Sequence, residues 1–124
     1  MPFGRVLLIG LNPALIPGWD PEPVLAALAR GRDRFRERGI EFDECLVPLD
    51  EHTEGTIADA LVAADYACVV IGGGIRKTEE LLELFEKVVN LVRLHAPGAA
   101  IAFNTTPDDT ADAALRWLRR GAQR

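Results

Sequence analysis

Residues 66–78 read YACVVIGGGIRKT: an apolar, β-branched run, then three glycines, then a basic pair. Six apolar residues without polar alternation describe a strand buried on both of its faces. The triplet Gly72-Gly73-Gly74 ends it. Beyond the basic pair, the spacing predicts a helix from about Thr78 to His95, closed by Pro97-Gly98. A doubly buried strand followed by a helix is half of a parallel crossover unit, so the rest of the chain must supply its companions.

It does so in both directions. Upstream, Ile40–Leu49 carries alternating apolar positions, and Arg5–Leu11 (RVLLIGL) is a second continuous run. Downstream, Ala99–Asn104 (AAIAFN) is the last. Helices separate these strands. Asp20-Pro21 places a cap before a proline and predicts a helix to Arg38, stopped by Gly39. Thr56-Ile57-Ala58-Asp59 approximates a capping box, with Thr53 as the rival cap. Thr106-Pro107-Asp108-Asp109 combines cap, proline and acidic first turn.

Four strand–helix units with right-handed crossovers predict an α/β fold: a three-layer sandwich around a four-stranded parallel sheet. The expected strand order is 2-1-3-4, a flavodoxin-like or Rossmann-like winding, with a fully sequential order as the alternative. The first and last helices would share one face. Residues 1–124 read as one domain, a length that buries about two-thirds of the unfolded surface.

Composition excludes several classes. With 48% hydrophobic residues and a net charge of −5, the chain is not disordered. No apolar run reaches the ~18 residues of a membrane span. The acidic balance argues against nucleic acid, whose affinity rests on Lys and Arg. Val6–Ile9 is too short for a secretory leader, and Asn12-Pro13 interrupts it, so a cytoplasmic location is expected. Cys45 and Cys68 read as small buried hydrophobes. Strand one would separate them, so they should not bridge.

In such sheets ligands bind beyond the carboxyl ends of the strands, where the winding reverses. That point lies between strands one and three, and the candidate ligand-binding residues are Asn12, Gly72, Gly73, Gly74, Arg76, Asn104 and Thr105. Each also has a structural reading. The glycines could contact a ligand through their backbone or merely allow a tight turn. Arg76 could grip a carboxylate or phosphate, or pair with Glu79 or Glu80. Asn12 could donate to a ligand or stabilise the turn before Pro13. The loop from Asn12 to Trp19 is long, and Leu15, Ile16 and Trp19 suit a lid, a subunit contact or a fold-back onto the core. His52, in an acidic loop, and His95, at a helix end, are the available imidazoles, and both read better as structural.

Complete motifs are lacking. Arg76 stands where a P-loop requires glycine, and Gly72, Gly74 and Lys77 give GxGxxK in place of GxGxxG. No cofactor is named by the residues. No metal site is expected, since Asp108, Asp109 and Asp112 lack a ligand pattern. Acids at the helix starts would repel a polyphosphate. Arg30, Arg32, Arg34, Arg36 and Arg38, with Arg116, Arg119, Arg120 and Arg124, read as a solvated basic face or as an interaction patch.

VVIGGGIR at Val69–Arg76, LFEKVVN at Leu84–Asn90 and HAPGAAIAFNTTPDD at His95–Asp109 resemble small bacterial single-domain proteins of unknown function, over roughly residues 66–118. The resemblance implies a Rossmann-like or flavodoxin-like fold and brings no activity with it. The acids of receiver domains, the Ser/Thr-rich loop of flavodoxins and the cysteine of phosphotransferase IIB domains have no counterpart after strand one.

The functional expectation is therefore a homodimer with a pocket for a small, anionic ligand at the switch point. The apolar positions of the helix to His95 (Leu81, Leu82, Leu84, Phe85, Val88, Val89, Leu91, Val92) cover more than one stripe, which motivates the dimer. The alternatives are an enzyme acting on a small carboxylate or mono-phosphate through Arg76 and the glycine loop, and an interaction module using the arginine-rich helix ends. Whether the protein is an enzyme is left open by its residues.

Overall fold

A computed structural model describes residues 3–122, with side chains to Arg119. Strands β1 (Arg5–Leu11), β2 (Phe42–Val47), β3 (Tyr66–Ile71) and β4 (Ala100–Phe103) form one parallel sheet in the order β2-β1-β3-β4. The expected winding is therefore the observed one. Helix α1 (Glu22–Glu37) and helix α5 (Thr110–Ala122) cover one face of the sheet, and α2 (Thr53–Val62) and α4 (Leu82–His95) the other.

Strict alternation along the strands builds two separate cores. Leu7, Ile9, Val69 and Ile71 point toward α2 and α4, where Ile57, Leu61, Val88 and Val92 meet them. Val6, Leu8, Cys68 and Val70 point toward α1 and α5, where Leu28, Phe35 and Leu115 complete the layer. A register shift between Arg5 and Val6 lets Ala67 and Cys68 both face α5. The two cysteines are free and buried in different cores, with β1 between their strands. Burial pushes the Cys68 thiol up to about 12 and raises that of Cys45 as well.

Local chemistry sets most helix ends. Asp20 Oδ1 accepts from the Glu22 N–H at 3.2 Å, and Gly39, with φ +66°, stops the chain after α1. Helix α2 starts at Thr53, so Thr56 lies inside it and is no cap. The Thr53 hydroxyl donates to the Pro48 carbonyl at 2.6 Å and accepts from the Asp50 N–H at 3.0 Å. The expected helix from about Thr78 to His95 is present, with one addition. A single turn, α3 (Gly73–Arg76), precedes it; Thr78 is extended, and its carbonyl accepts from the Leu81 N–H at 2.9 Å, opening a 3-10 turn (Glu79–Leu81) that runs straight into α4. The Thr78 hydroxyl donates to the Gly74 carbonyl at 2.7 Å, which closes α3 and redirects the chain. Among the described residues no helix is long and apolar enough to cross a membrane.

Candidate functional site at the carboxyl ends of β1 and β3

Following the α1-facing positions to the carboxyl end of each strand gives Leu46 on β2, Gly10 on β1, Gly72 after β3 and Asn104 after β4. On this face the rows of both central strands thus end on a residue without a side chain. A cleft of about 220 Å³ opens there, lined by Leu8, Gly10, Leu11, Trp19, Val24, Leu28, Leu46, Gly72–Gly74, Lys77 and Asn104–Pro107. It lies at the reversal of the winding, and its walls are α1 and the loop that follows β4.

The two glycines differ in what they permit. A Cβ at Gly72 would approach the Ile9 carbonyl oxygen at 3.3 Å, because the Gly72 N–H already donates to that carbonyl at 2.8 Å. A Cβ at Gly10 would meet only Leu46 Cδ2, at an ordinary 3.5 Å. Close approach thus requires glycine at 72, whereas position 10 has room for a side chain. Gly73 and Gly74 border the cleft under Lys77 and Trp19: a Cβ at Gly74 would lie 3.8 Å from Trp19 Cη2.

The loop after β1 divides its apolar residues three ways. Ile16 folds into the α2/α4 core, Leu15 points outward, and Trp19, returned by the φ +82° turn at Gly18, forms a wall of the cleft. Asn12 has a turn-stabilising role: its Oδ1 accepts from the Ala14 N–H at 3.0 Å, and it does not line the cleft.

Arg76 points away from the cleft and joins the ends of β3 and β4. One guanidinium nitrogen donates to the Ile71 carbonyl at 2.8 Å and to Asn104 Oδ1 at 3.5 Å, and the other donates to the Asn104 carbonyl. The group lies 5.2 Å from the centre of the Phe103 ring. Burial lowers its pKa, opposed by the negative charge of Asp109. Asn104 is buried as well, with its Nδ2 donating to Thr110 Oγ1 at 2.9 Å. Thr105 serves the turn before α5, where Asp109 accepts from its N–H at 2.9 Å and its hydroxyl at 2.6 Å, and from the Thr106 N–H at 3.3 Å. Burial would raise the Asp109 carboxyl, but these hydrogen bonds outweigh it and hold the group below the usual carboxylate range.

Of the seven residues singled out from the sequence, Gly72, Gly73, Gly74, Asn104 and Thr105 border the cleft, and Asn12 and Arg76 do not. The charged side chain that does is Lys77. Its Nζ donates to the Thr105 carbonyl at 2.7 Å, spanning the mouth between α3 and the β4 loop. No carboxylate lies within 4 Å of that ammonium among the described residues.

The arginines expected to form a solvated basic face or an interaction patch are in large part paired with acids. Arg30 grips Asp108 through two bonds of 2.5 and 3.2 Å, which holds the Asp108 carboxyl below its ordinary range. Arg34 donates to the Asp108 carbonyl, Arg32 to Glu44 and Arg36 to Asp33, while Arg38 pairs with Asp112. Arg116 donates to the Phe103 carbonyl. Arg124 lies outside the described residues, as does the side chain of Arg120. His52 is exposed beside Glu51, away from the cleft, and His95 ends α4. No group of three or more potential metal ligands occurs among the described residues. No protein-family model, curated protein or solved structure matches the chain.

Proposed function

We propose that the chain is one Rossmann-like, bacterial-type domain that binds a small, largely apolar molecule in the cleft beside Gly10 and Gly72. The observation that carries this reading is the pair of glycines ending the inward-facing rows of both central strands, which leaves a lined space where a packed core would otherwise continue. Close packing disfavours voids, so a space of this size on a rim of Leu, Val and Trp side chains suits an occupant. The lining favours binding over catalysis: among the described residues that form it, Lys77 is the one titratable side chain. Arg76 is then a positioning residue, since its donors are committed to the carbonyls that hold the β4 loop in place.

The test is a fragment screen read by amide chemical shifts. Binding should move Gly72–Gly74, Thr105, Thr106 and the Trp19 indole. Gly10→Val should leave the fold intact and erase those shifts, because its methyl groups would occupy the cleft. Shifts that persist in Gly10→Val, or that map elsewhere, overturn the reading.

A second reading adds another copy of the chain. Leu82 at the start of α4 and Phe103 on the open β4 edge are 60% and 42% exposed. Apolar side chains beside an unpaired strand edge favour a homodimer across it. Light scattering at micromolar concentration should then report twice 13.5 kDa, and a 13.5 kDa particle removes the dimer. A cytoplasmic location belongs to the same proposal, with the two unbridged, buried thiols in its support.

A further inference from the structure

Resting on the cleft reading above, we infer that the occupant is a small monocarboxylate, a single ring or short branched chain carrying one carboxylate that meets Lys77. Size comes first. An apolar cavity of about 150 Å³ accommodates benzene, so the 220 Å³ here admits one ring or a branched four- or five-carbon chain with a small polar end. The shape of the charge comes second. Leu8 and Leu28 are buried and Val24 and Trp19 complete the apolar lining, so the body of the ligand is apolar, and the one charged side chain on the lining is Lys77.

An ammonium has three donors, and Lys77 uses one of them on the Thr105 carbonyl. Two remain for a ligand oxygen without breaking any contact. The neighbouring acids do not compete, since Asp108 is held by Arg30 and Asp109 by Thr105 and Thr106. One cation at the edge of an apolar cleft balances a single negative charge. A phosphate dianion would call for further side-chain donors. Those of Asn104, Thr105 and Thr106 on the lining already serve Thr110 Oγ1 at 2.9 Å, Asp109 at 2.6 Å and Asp108 at 3.5 Å.

Titration calorimetry on the full chain tests this with benzoate, phenylacetate and isovalerate, each against its neutral amide, with toluene and inorganic phosphate as the outer arms. At least one carboxylate should bind about five- to thirtyfold more tightly than its amide, the range between an exposed ion pair and a charge-assisted hydrogen bond. Lys77→Met should remove that preference while leaving toluene binding unchanged. Carboxylate and amide binding alike would overturn the charge assignment and leave the cleft reading in place. So would carboxylate binding that is insensitive to Lys77→Met, or phosphate binding more tightly than every carboxylate. If neither toluene nor any of the acids and amides binds, the cleft reading falls and this inference falls with it.

Discussion

The two faces of the sheet end differently at the same rim. On the α2/α4 side the strands hand over to Ile16 and Ile75, both buried, and the core runs without interruption into the loops. On the α1/α5 side the equivalent handover is to Gly10 and Gly72, and the core stops at a cleft. Composition of the layers differs too: Ala102, Ala111, Ala113 and Ala114 are buried on the α5 side, whereas the buried cluster on the α2/α4 side contains no alanine. One sheet thus presents a filled rim and an open one, and the contrast accounts for the cleft without any catalytic motif. Loop side chains make the solid rim, and the missing Cβ atoms make the open one.

The filled rim should be the easier to damage. Ile75 is fully buried between α3 and the α2/α4 core. Ile75→Ala would create a second void opposite the first and should cost about 3 kcal/mol, from lost burial plus residual cavity. Urea denaturation checks this. A loss below about 1 kcal/mol would mean that the rim collapses freely and that the contrast between the faces is shallow.

A smaller effect is expected at the roof of the open rim. A Cβ at Gly31 of α1 would collide with the Pro107 carbonyl, a backbone atom that cannot swing aside. Gly31→Ala should therefore destabilise by about 1–3 kcal/mol despite its better helix propensity. It should also move amide shifts at Thr105–Asp109. A neutral or stabilising result would show that α1 and the β4 loop are not in firm contact.

The winding, both helix pairs and the location of the rim could be read from the residues, because apolar runs, caps and glycines act locally and strand alternation is rigid. The turn role of Asn12 was one of its two readings, but the role of Arg76 could not be read. The guanidinium of Arg76 finds its acceptors on Ile71 and Asn104, main-chain carbonyls whose position follows only from β3 and β4 lying side by side. A positive side chain after a glycine run reads as a ligand grip when its carbonyl partners are invisible. The extra turn α3 escaped notice for a related reason: the Thr78 hydroxyl closes it by donating to the Gly74 carbonyl, a main-chain partner that is in reach only once the turn has formed. Gly10 carried a usable signal, since Val6, Leu8 and Gly10 share a face by simple alternation. What it lacked was the knowledge that Gly72 ends the adjacent row.

Acid should loosen the open rim through the turn that precedes α5. Asp109 and Asp108 both have depressed pKa values in the folded chain. Their contribution is complete above the unfolded carboxyl pKa of about 3.9 and is lost as pH falls through the lower folded value. The urea midpoint should therefore be flat from pH 6 to about 5 and decline below it. Asp109→Asn should remove part of that decline, and Thr105 and Thr106 amides should exchange faster in the variant at pH 6. An unchanged acid limb would mean that other carboxylates dominate.

The smallest effect is the most informative about why the open rim exists. Gly10 sits in the middle of the rim with ordinary strand geometry, and a methyl there meets only Leu46 Cδ2 at van der Waals distance. Gly in a strand costs roughly 0.5–1 kcal/mol relative to Ala through backbone entropy. Gly10→Ala should accordingly raise stability by about 0.5 kcal/mol while narrowing the cleft and weakening any fragment that reaches its floor. A glycine that lowers stability where alanine fits is poorly explained by folding alone and well explained by the space it keeps. If Gly10→Ala instead lowers the urea midpoint, the glycine is serving the packing of β1 against β2, and the open rim is a by-product of that packing.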